Sequence, residues 1–278
     1  MQHFTTKHSL AQHLLPLRHK GLKIGFVATM GALHKGHLSL IQAAQQLCDV
    51  VVCSIFVNPT QFNDPRDLQL YPRPIANDIA LLEEVNCDIL FEPPVEEIYA
   101  GHEHWHLDIG PLEHLLEGAA RPGHYQGVTQ VVFKLYNIVQ AQVAFFGQKD
   151  YQQFLVISRM VQLLNLPVKL VMCPIEREAD GLAMSSRNVR LSAAERQQAL
   201  VLSKTLNDIK ERFDTNKISQ LKRGAEQAIA AEAGVTLSYF EIADAQTLLP
   251  ADESTQHIVA LVAAKVGDTR LIDNVIVR

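Results

Sequence analysis

The chain has 278 residues, enough for one large domain or two unequal ones. Hydrophobic residues make up 47% and charged residues 20%, a balance typical of a globular protein and unlike that of disordered chains. The net charge of −5 argues against a broad nucleic-acid-binding surface, which needs clustered Lys and Arg, but it leaves room for a local basic site.

The N-terminal segment and the cysteines indicate the compartment. Residues 1–20 lack the order of a signal peptide, and no apolar run approaches the roughly 18 residues of a membrane helix. The four cysteines are scattered without a CxxC pair, and a chain of this size needs no disulfides. We therefore expect a cytoplasmic protein with reduced thiols, without a membrane or nucleic-acid partner.

Strand-like and helix-like segments alternate through the first part of the chain. Strands are predicted at 23–29, 49–57, 87–93, 144–147 and 167–173, and helices at 37–47, 75–85, 128–139 and 151–164. This alternation predicts an α/β domain over residues 1–174, with a parallel sheet and helices on both faces.

The pattern changes after residue 174. Helices are predicted at 193–213 and 217–232, and strands at 235–244, 257–266 and 269–277. Gly267 and Asp268 form the turn between the last two strands, and Ser192 with Glu195 fits a helix capping box. Residues 175–278 are therefore predicted to form a second, smaller α+β domain.

The most informative segment, TMGALHKGH at 29–37, joins the first strand to the first helix. Ligands of open α/β sheets bind at the carboxyl ends of strands, and helix N-termini attract phosphate. Gly31 and Gly36 allow close backbone approach, and His34 and His37, three residues apart, share a helix face. This arrangement favours a nucleotide site, although two such histidines would also fit a surface pair or a metal site.

A second strand–helix junction carries FFGQKDYQQ at 145–153. In a doubly wound sheet it lies at the same edge as the first motif, where Lys149 could reach phosphate oxygens. Asp150 and Gln153 also fit a capping box, and the two roles are compatible.

Two polar loops add further candidates. DGLAMSSRN at 180–188 could close over a triphosphate with Arg187 neutralising charge, or it could be an interdomain linker. Asn58 and Gln61 follow the second strand and could bind substrate with their amides, or serve only as turn residues. The turn-rich segment 121–127 is a candidate to frame a pocket.

A weaker candidate is the alternating set His102, His104 and His106. On a strand, alternate residues share one face, so the spacing is compatible with metal binding.

Taken in order, TMGALHKGHLSLI, FVNPTQF, YPR, RPGHYQGV, FFGQKDYQQ and DGLAMSSRN resemble the pantoate–β-alanine ligase family over nearly the whole chain. This family belongs to the HxGH nucleotidyltransferase superfamily. The resemblance implies a Rossmann-like doubly wound domain that binds ATP and pantoate at 1–174, and a small lid domain at 175–278. It also implies a cytoplasmic homodimer that joins pantoate to β-alanine through a pantoyl adenylate, using ATP with Mg²⁺ and releasing AMP and pyrophosphate.

The resemblance assigns site residues by matching position. The catalytic residues would be His37 (the proton donor), His34, Lys149 and Arg187. The ATP-binding residues would be Met30, Gly31, Ala32, Leu33, His34, Lys35, Gly36, His37, Gly147, Gln148, Lys149, Asp150, Glu176, Met184, Ser185, Ser186 and Arg187. Glu176 replaces a usually apolar residue whose backbone meets adenine. Gln61 and Gln153, with Asn58, would bind substrate, and Asp78 beside Asn77 matches a stretch linked to Mg²⁺ in some relatives.

Two other functions remain as alternatives. A related nucleotidyltransferase would move AMP to a phosphate acceptor, and a non-catalytic module would bind ATP without turnover. The intact HxGH, GQKD and SSRN segments argue against the non-catalytic module. The acid–amine ligase needs no nucleophilic side chain.

Overall fold

The computed structural model describes residues 1–101 and 103–278. The chain divides into two compact units, Met1–Gly147 with Gln153–Pro174 and Gln148–Gln152 with Ile175–Arg278. None of the helices in the described residues has the length and apolar character needed to cross a bilayer.

The first unit is built on a six-stranded parallel sheet in the order β1-β4-β3-β2-β5-β6. Its strands are β1 (Gln2–Phe4), β2 (Ile24–Thr29), β3 (Val50–Ile55), β4 (Ile89–Phe91), β5 (Val143–Gly147) and β6 (Lys169–Cys173). The predicted parallel sheet is confirmed, and the short edge strand β1 is an element that the sequence pattern did not predict.

Helices cover both faces of this sheet. They are α1 (Lys7–His19), α2 (Lys35–Leu47), α3 (Pro65–Gln69), α4 (Ile75–Glu84), α5 (Val95–Ile98), α6 (Leu116–Ala120), α7 (His124–Val139) and α8 (Tyr151–Leu163). Alternation along β2 creates the two layers: Ile24 and Phe26 join the core formed with α1 and α7, and Val27 joins the core formed with α2 and α4. The sheet is therefore doubly wound, as predicted.

Two helices of this unit differ from the sequence prediction. Helix α7 begins at His124 rather than 128, directly after Gly123, whose φ of 79° gives the chain its entry turn. Helix α1 was not predicted; Thr6 caps it by accepting from the Ser9 N–H, and its interior includes Pro16.

The second unit contains α9 (Ala193–Arg212), α10 (Ile218–Ala230) and an antiparallel sheet of β7 (Val235–Asp244), β8 (Ile258–Val266) and β9 (Thr269–Ile276). Side chains from both helices and all three strands form its own core. The capping box of Ser192 and Glu195 starts α9 as predicted, and Gly267 has a φ of 54° in the turn before β9.

Strand order determines where the first unit can bind a ligand. From β2 the chain moves outward through β3 and β4, and it then returns to pair β5 with the other side of β2. The carboxyl ends of β2 and β5, where the order reverses, are the usual ligand position in open α/β sheets.

Candidate active site

The loop after β2 has an unusual backbone fixed by a buried carboxylate. Gly31 and Ala32 have φ values of 77° and 50°. The N–H groups of Ala32 and Leu33 donate to the two oxygens of Asp78, at 2.9 and 2.7 Å. A Cβ atom at Gly31 would lie 2.9 Å from the same carboxylate. Asp78, which is 1% exposed, therefore determines the path of the loop.

His34 and His37 lie side by side where this loop becomes α2. Their ring centroids are 4.1 Å apart at an interplanar angle of 37°, consistent with their spacing in the sequence. His34 is the N-cap, and its Nδ1 accepts from the Gly36 N–H at 3.1 Å. A neutral His34 with Nδ1 accepting carries its proton on Nε2, which makes that atom a hydrogen-bond donor. Both rings are half-buried, whereas Lys35 is exposed.

The turn after β3 holds Gln61. Asn58 caps this turn and is 1% exposed; its amide donates to the Gln61 side chain and to the Gly127 carbonyl, both at 3.1 Å. The Tyr99 hydroxyl donates to the Asn58 side-chain oxygen at 2.7 Å. In the structure Asn58 caps the turn that carries Gln61, and its contact with substrate stays a prediction.

Gln61 connects two segments of the first unit. Its side-chain amide donates to the Met30 sulfur at 3.1 Å, and its backbone carbonyl accepts from His124 at 2.8 Å and from Arg121 at 3.3 Å. The sequence placed Arg121 and His124 only in a turn-rich segment. Their direct hydrogen bonds to Gln61 were not predicted, because contacts over 60 residues of sequence leave no local pattern.

The GQKD segment begins at the half-buried Gly147, the last residue of β5, and continues into the second unit. Gln148–Asp150 form one 3-10 turn, which β9 anchors. The buried Asn274 amide donates to the carbonyls of Gln148 and Lys149, both at 2.9 Å. The Lys149 side chain is 18% exposed, and its Nζ lies 3.9 Å from the exposed Asp150 carboxylate.

A small hairpin precedes the SSRN loop. Arg177 and Ala183 form an isolated antiparallel bridge, and the Met184 N–H donates to the carbonyl of the exposed Glu176 at 3.0 Å. The Arg177 guanidinium donates in bidentate fashion to the buried Asp273 carboxylate at 2.7 and 3.0 Å, a strong geometry for a charged pair. Residues of β9 thus support both segments.

The SSRN loop itself is a capped 3-10 turn, Ser186–Arg190, in which Ser185 accepts from the Arg187 N–H at 3.2 Å. Asn188 is buried and donates to Glu178 at 3.1 Å and to the Ala183 carbonyl at 3.0 Å. Hydrogen bonds from Asn188 and then Arg196 lower the pKa of Glu178. The loop is a folded element of the second unit rather than an extended linker.

The last two predicted contacts are Gln153, for substrate, and Asp78, for Mg²⁺. Gln153 is half-buried on α8. Residues 1–101 and 103–278 contain no group of three His, Cys, Asp or Glu side chains placed to hold a metal ion. Both Asp78 oxygens accept backbone N–H groups and so fix the loop, and the predicted contact of Asp78 with Mg²⁺ stays a prediction.

Residues 103–109 do not form the strand on which the histidine face was predicted. His104 and His106 are exposed on a segment without strand structure, and His102 lies outside the described residues.

A doubly wound parallel sheet with a glycine-containing turn and helix N-terminus at the carboxyl end of its central strand defines the class of nucleotide-binding α/β proteins. The model of the pantoate-beta-alanine ligase family matches residues 2–276. Pantothenate synthetases of Porphyromonas gingivalis and Bacteroides fragilis are 44% and 45% identical, over 99% and 96% of this chain and 99% and 95% of their own lengths. This chain belongs to the pantoate–β-alanine ligase family.

Solved structures of relatives agree with the sequence comparison. Pantothenate synthetase from Thermus thermophilus has a TM-score of 0.93 at 42% identity, covering 100% of this chain and 99% of that one. Pantoate–β-alanine ligase from Francisella tularensis, complexed with beta-gamma ATP and β-alanine, has a TM-score of 0.83 at 34% identity, covering 99% and 97%. The Rossmann-like fold and the small C-terminal unit are those of pantothenate synthetase structures.

Proposed function

We propose that this chain condenses (R)-pantoate with β-alanine, using ATP and releasing pantothenate, AMP and pyrophosphate. Membership of the ligase family over nearly the full chain supports the overall reaction. The complex of the Francisella relative with beta-gamma ATP and β-alanine supports two of the three substrates. The paired imidazoles of His34 and His37 at the start of α2 are the observation that carries the proposal, because helix N-termini attract phosphate and imidazole N–H groups can donate to it.

The first half-reaction joins two anions. An oxygen of the pantoate carboxylate bonds to the α-phosphorus of ATP, the bond from that phosphorus to the bridging oxygen breaks, and pyrophosphate leaves. Repulsion between the carboxylate and the triphosphate opposes this step. We assign its stabilisation to His34, His37, Lys149 and Arg187, whose donors and charges act on charge that develops in the transition state. His37 is the proposed proton donor.

The second half-reaction consumes the adenylate. The β-alanine nitrogen bonds to the acyl carbon, the carbon–oxygen bond to AMP breaks, and the nitrogen loses a proton. Adenylation makes this attack feasible because AMP is a far better leaving group than oxide. We assign substrate binding to Gln61, Gln153 and Asn58, and Asn58 also caps the turn that carries Gln61.

The wider ATP site is proposed from both motif segments and the loop before α9. It comprises Met30, Gly31, Ala32, Leu33, Lys35, Gly36, Gly147, Gln148, Asp150, Glu176, Met184, Ser185 and Ser186 in addition to the four residues above. Mg²⁺ would enter with ATP, since this ion commonly binds through phosphates and water with few protein ligands. Family resemblance also supports a homodimer in the cytoplasm as part of the proposal.

The decisive experiment is isotope exchange. Labelled pyrophosphate should enter ATP in the presence of pantoate and Mg²⁺ without β-alanine, because the first half-reaction is complete and reversible by itself. Exchange that requires β-alanine would refute the free adenylate. Exchange supported by a phosphorylated acceptor, but not by pantoate, would indicate a nucleotidyltransferase instead.

A further inference from the structure

Two adjacent polar residues are buried in the last strand. Asp273 and Asn274 in β9 are 4% and 2% exposed, and Leu271 and Val275 of the same strand pack in the core of the second unit. Successive strand residues point to opposite faces, so the two side chains reach different segments. Asp273 binds Arg177, and Asn274 binds the 3-10 turn Gln148–Asp150.

The hydrogen bonds of the Asn274 side-chain amide all go to the 3-10 turn Gln148–Asp150. Its NH₂ group has two hydrogens, and it donates to two successive carbonyls, those of Gln148 and Lys149, at 2.9 Å each. Its oxygen accepts from the Gln148 side-chain amide at 3.1 Å. A buried amide with these partners holds the backbone of this turn strongly, because releasing it would leave buried polar groups unsatisfied.

Lys149 depends on such an anchor. A lysine side chain has four rotatable bonds and delivers a point charge, so the position of its backbone sets the volume that the ammonium can reach. Asn274 holds the Lys149 carbonyl directly. Charge stabilisation and alignment in a transition state are sensitive to displacements of about 1 Å, which can cost on the order of 100-fold in rate.

We propose that Asn274 is a positioning residue for Lys149 in the adenylation step. It touches no substrate in this scheme, and it acts by fixing the backbone from which the lysine extends. The inference rests on the proposed function, in which Lys149 interacts with the ATP phosphates.

The test is a double-mutant cycle between Asn274→Asp and Lys149→Ala. Aspartate has the same shape but cannot donate, and its charge would face two carbonyl oxygens. We expect Asn274→Asp to lower the pantoate-dependent exchange rate by about 100-fold and to weaken ATP binding. In the Lys149→Ala background the same change should have almost no further effect, because residues that act through one another are not additive.

Controls separate positioning from general damage. Asn216→Asp makes the same chemical change at an exposed position in the second unit and should leave exchange and ATP affinity unchanged. Asn274→Ala removes the donor without adding charge, and it replaces the aspartate variant if urea unfolding shows that the latter does not fold.

Two outcomes would overturn the inference. One is a folded Asn274 variant with wild-type exchange rate and ATP affinity. The other is a double variant whose loss of exchange equals the product of the losses caused separately by Asn274→Asp and Lys149→Ala. If the wild-type protein showed no pantoate-dependent exchange, the proposed function would fail instead, and the ATP-affinity cycle would still decide whether Asn274 acts through Lys149.

Discussion

Asp78 is a carboxylate in a position where an isolated charge would be costly. Its two oxygens accept the N–H groups of Ala32 and Leu33, and its place in the first turn of α4 adds a favourable helix-dipole interaction. These contacts hold two consecutive residues at positive φ immediately before the His34 cap. The geometry of the histidine pair therefore depends on a carboxylate of α4, outside the loop itself.

Asp78→Asn should damage both folding and catalysis. The amide keeps the size of the carboxylate but replaces one acceptor with a donor that faces a backbone N–H. We expect a loss of about 1–3 kcal/mol in the free energy of unfolding, measured with urea, and a lower exchange rate. Asp208→Asn, at an exposed pair with Arg212, should change stability by less than about 0.5 kcal/mol. Wild-type stability and exchange in Asp78→Asn would contradict this role.

His37→Ala should act on the first half-reaction. Loss of a transition-state donor typically raises a barrier by roughly 2–4 kcal/mol, and we expect the exchange rate to fall accordingly. His8→Ala, at an exposed position on α1, is the matched control and should exchange like the wild type. A fully active His37→Ala protein would remove this residue from the mechanism.

For individual residues, the sequence predicted which side chains lie together only when those residues are neighbours in the sequence. His34 and His37 are three residues apart on one helical turn, so their contact follows from helix geometry. The hydrogen bonds of Asp78, His124 and Asn274 cross 45 to 126 residues of sequence and depend on the tertiary fold. Such partners cannot be read from spacing.

Among the elements, α7 and the turn that carries Gln61 pack unusually closely. At Gly127 a Cβ atom would lie 2.4 Å from the Thr60 carbonyl oxygen and 2.8 Å from the Gln61 nitrogen. Both neighbours are backbone atoms, so neither can rotate away. The glycine is therefore required for the helix to approach the turn.

Gly127→Ala should force the turn and helix apart. We expect a loss of about 1–3 kcal/mol in unfolding free energy, as for other overpacked sites, together with a raised KM for pantoate as Gln61 moves. Urea unfolding and steady-state kinetics would measure the two effects.

Gly224→Ala is the matched control for this substitution. Gly224 lies inside α10 with no atom within 4 Å of the added Cβ. Alanine favours a helix interior, so this variant should be more stable by about 0.5–1 kcal/mol. Equal stability changes in the two variants would show that the close contact at Gly127 has no energetic consequence.

Long periodic segments were predicted well, and short or amphipathic pieces were not. The sequence located β2, α2, β5 and the C-terminal strands within a few residues, because buried runs and helical spacing are strong local signals. It missed α1, whose buried Leu10 and Leu14 are four residues apart among polar neighbours and an internal proline. The predicted start of α7, at residue 128, was also four residues later than the observed start at His124, because the hydrophobic pattern does not reveal the packing at Gly127.

At the scale of the whole molecule, the reactivity of the cysteines reports how well the core of the first unit is shielded from solvent. Cys53 and Cys87 are buried against α2 and α4. Burial raises the pKa of Cys87 to about 11 and that of Cys53 well above its ordinary value. Both thiols therefore remain protonated at pH 8 in the folded state and are poor nucleophiles.

Thiol labelling at pH 8 should consequently follow unfolding. We expect Cys53 and Cys87 to react with a disulfide reagent only as fast as the unit opens, with strong acceleration in urea, and the half-buried Cys48 to react earlier. Because the folded pKa values are raised, the associated stability is complete below pH 9 and is lost as pH rises toward 11. Equal, rapid labelling of all the cysteines in native buffer would contradict this closed core.

The large sequence separation between Asn274 and the turn that it holds affects the order in which these parts form during synthesis. Asn274 follows Lys149 by 125 residues, so a ribosome that adds about 5–20 residues per second makes the anchor roughly 6–25 seconds after the turn. The parallel sheet, which ends at Cys173, can pair during this interval. The turn can gain its bonds from Asn274 only after β9 has been made, so a nascent chain acquires this part of the second unit late.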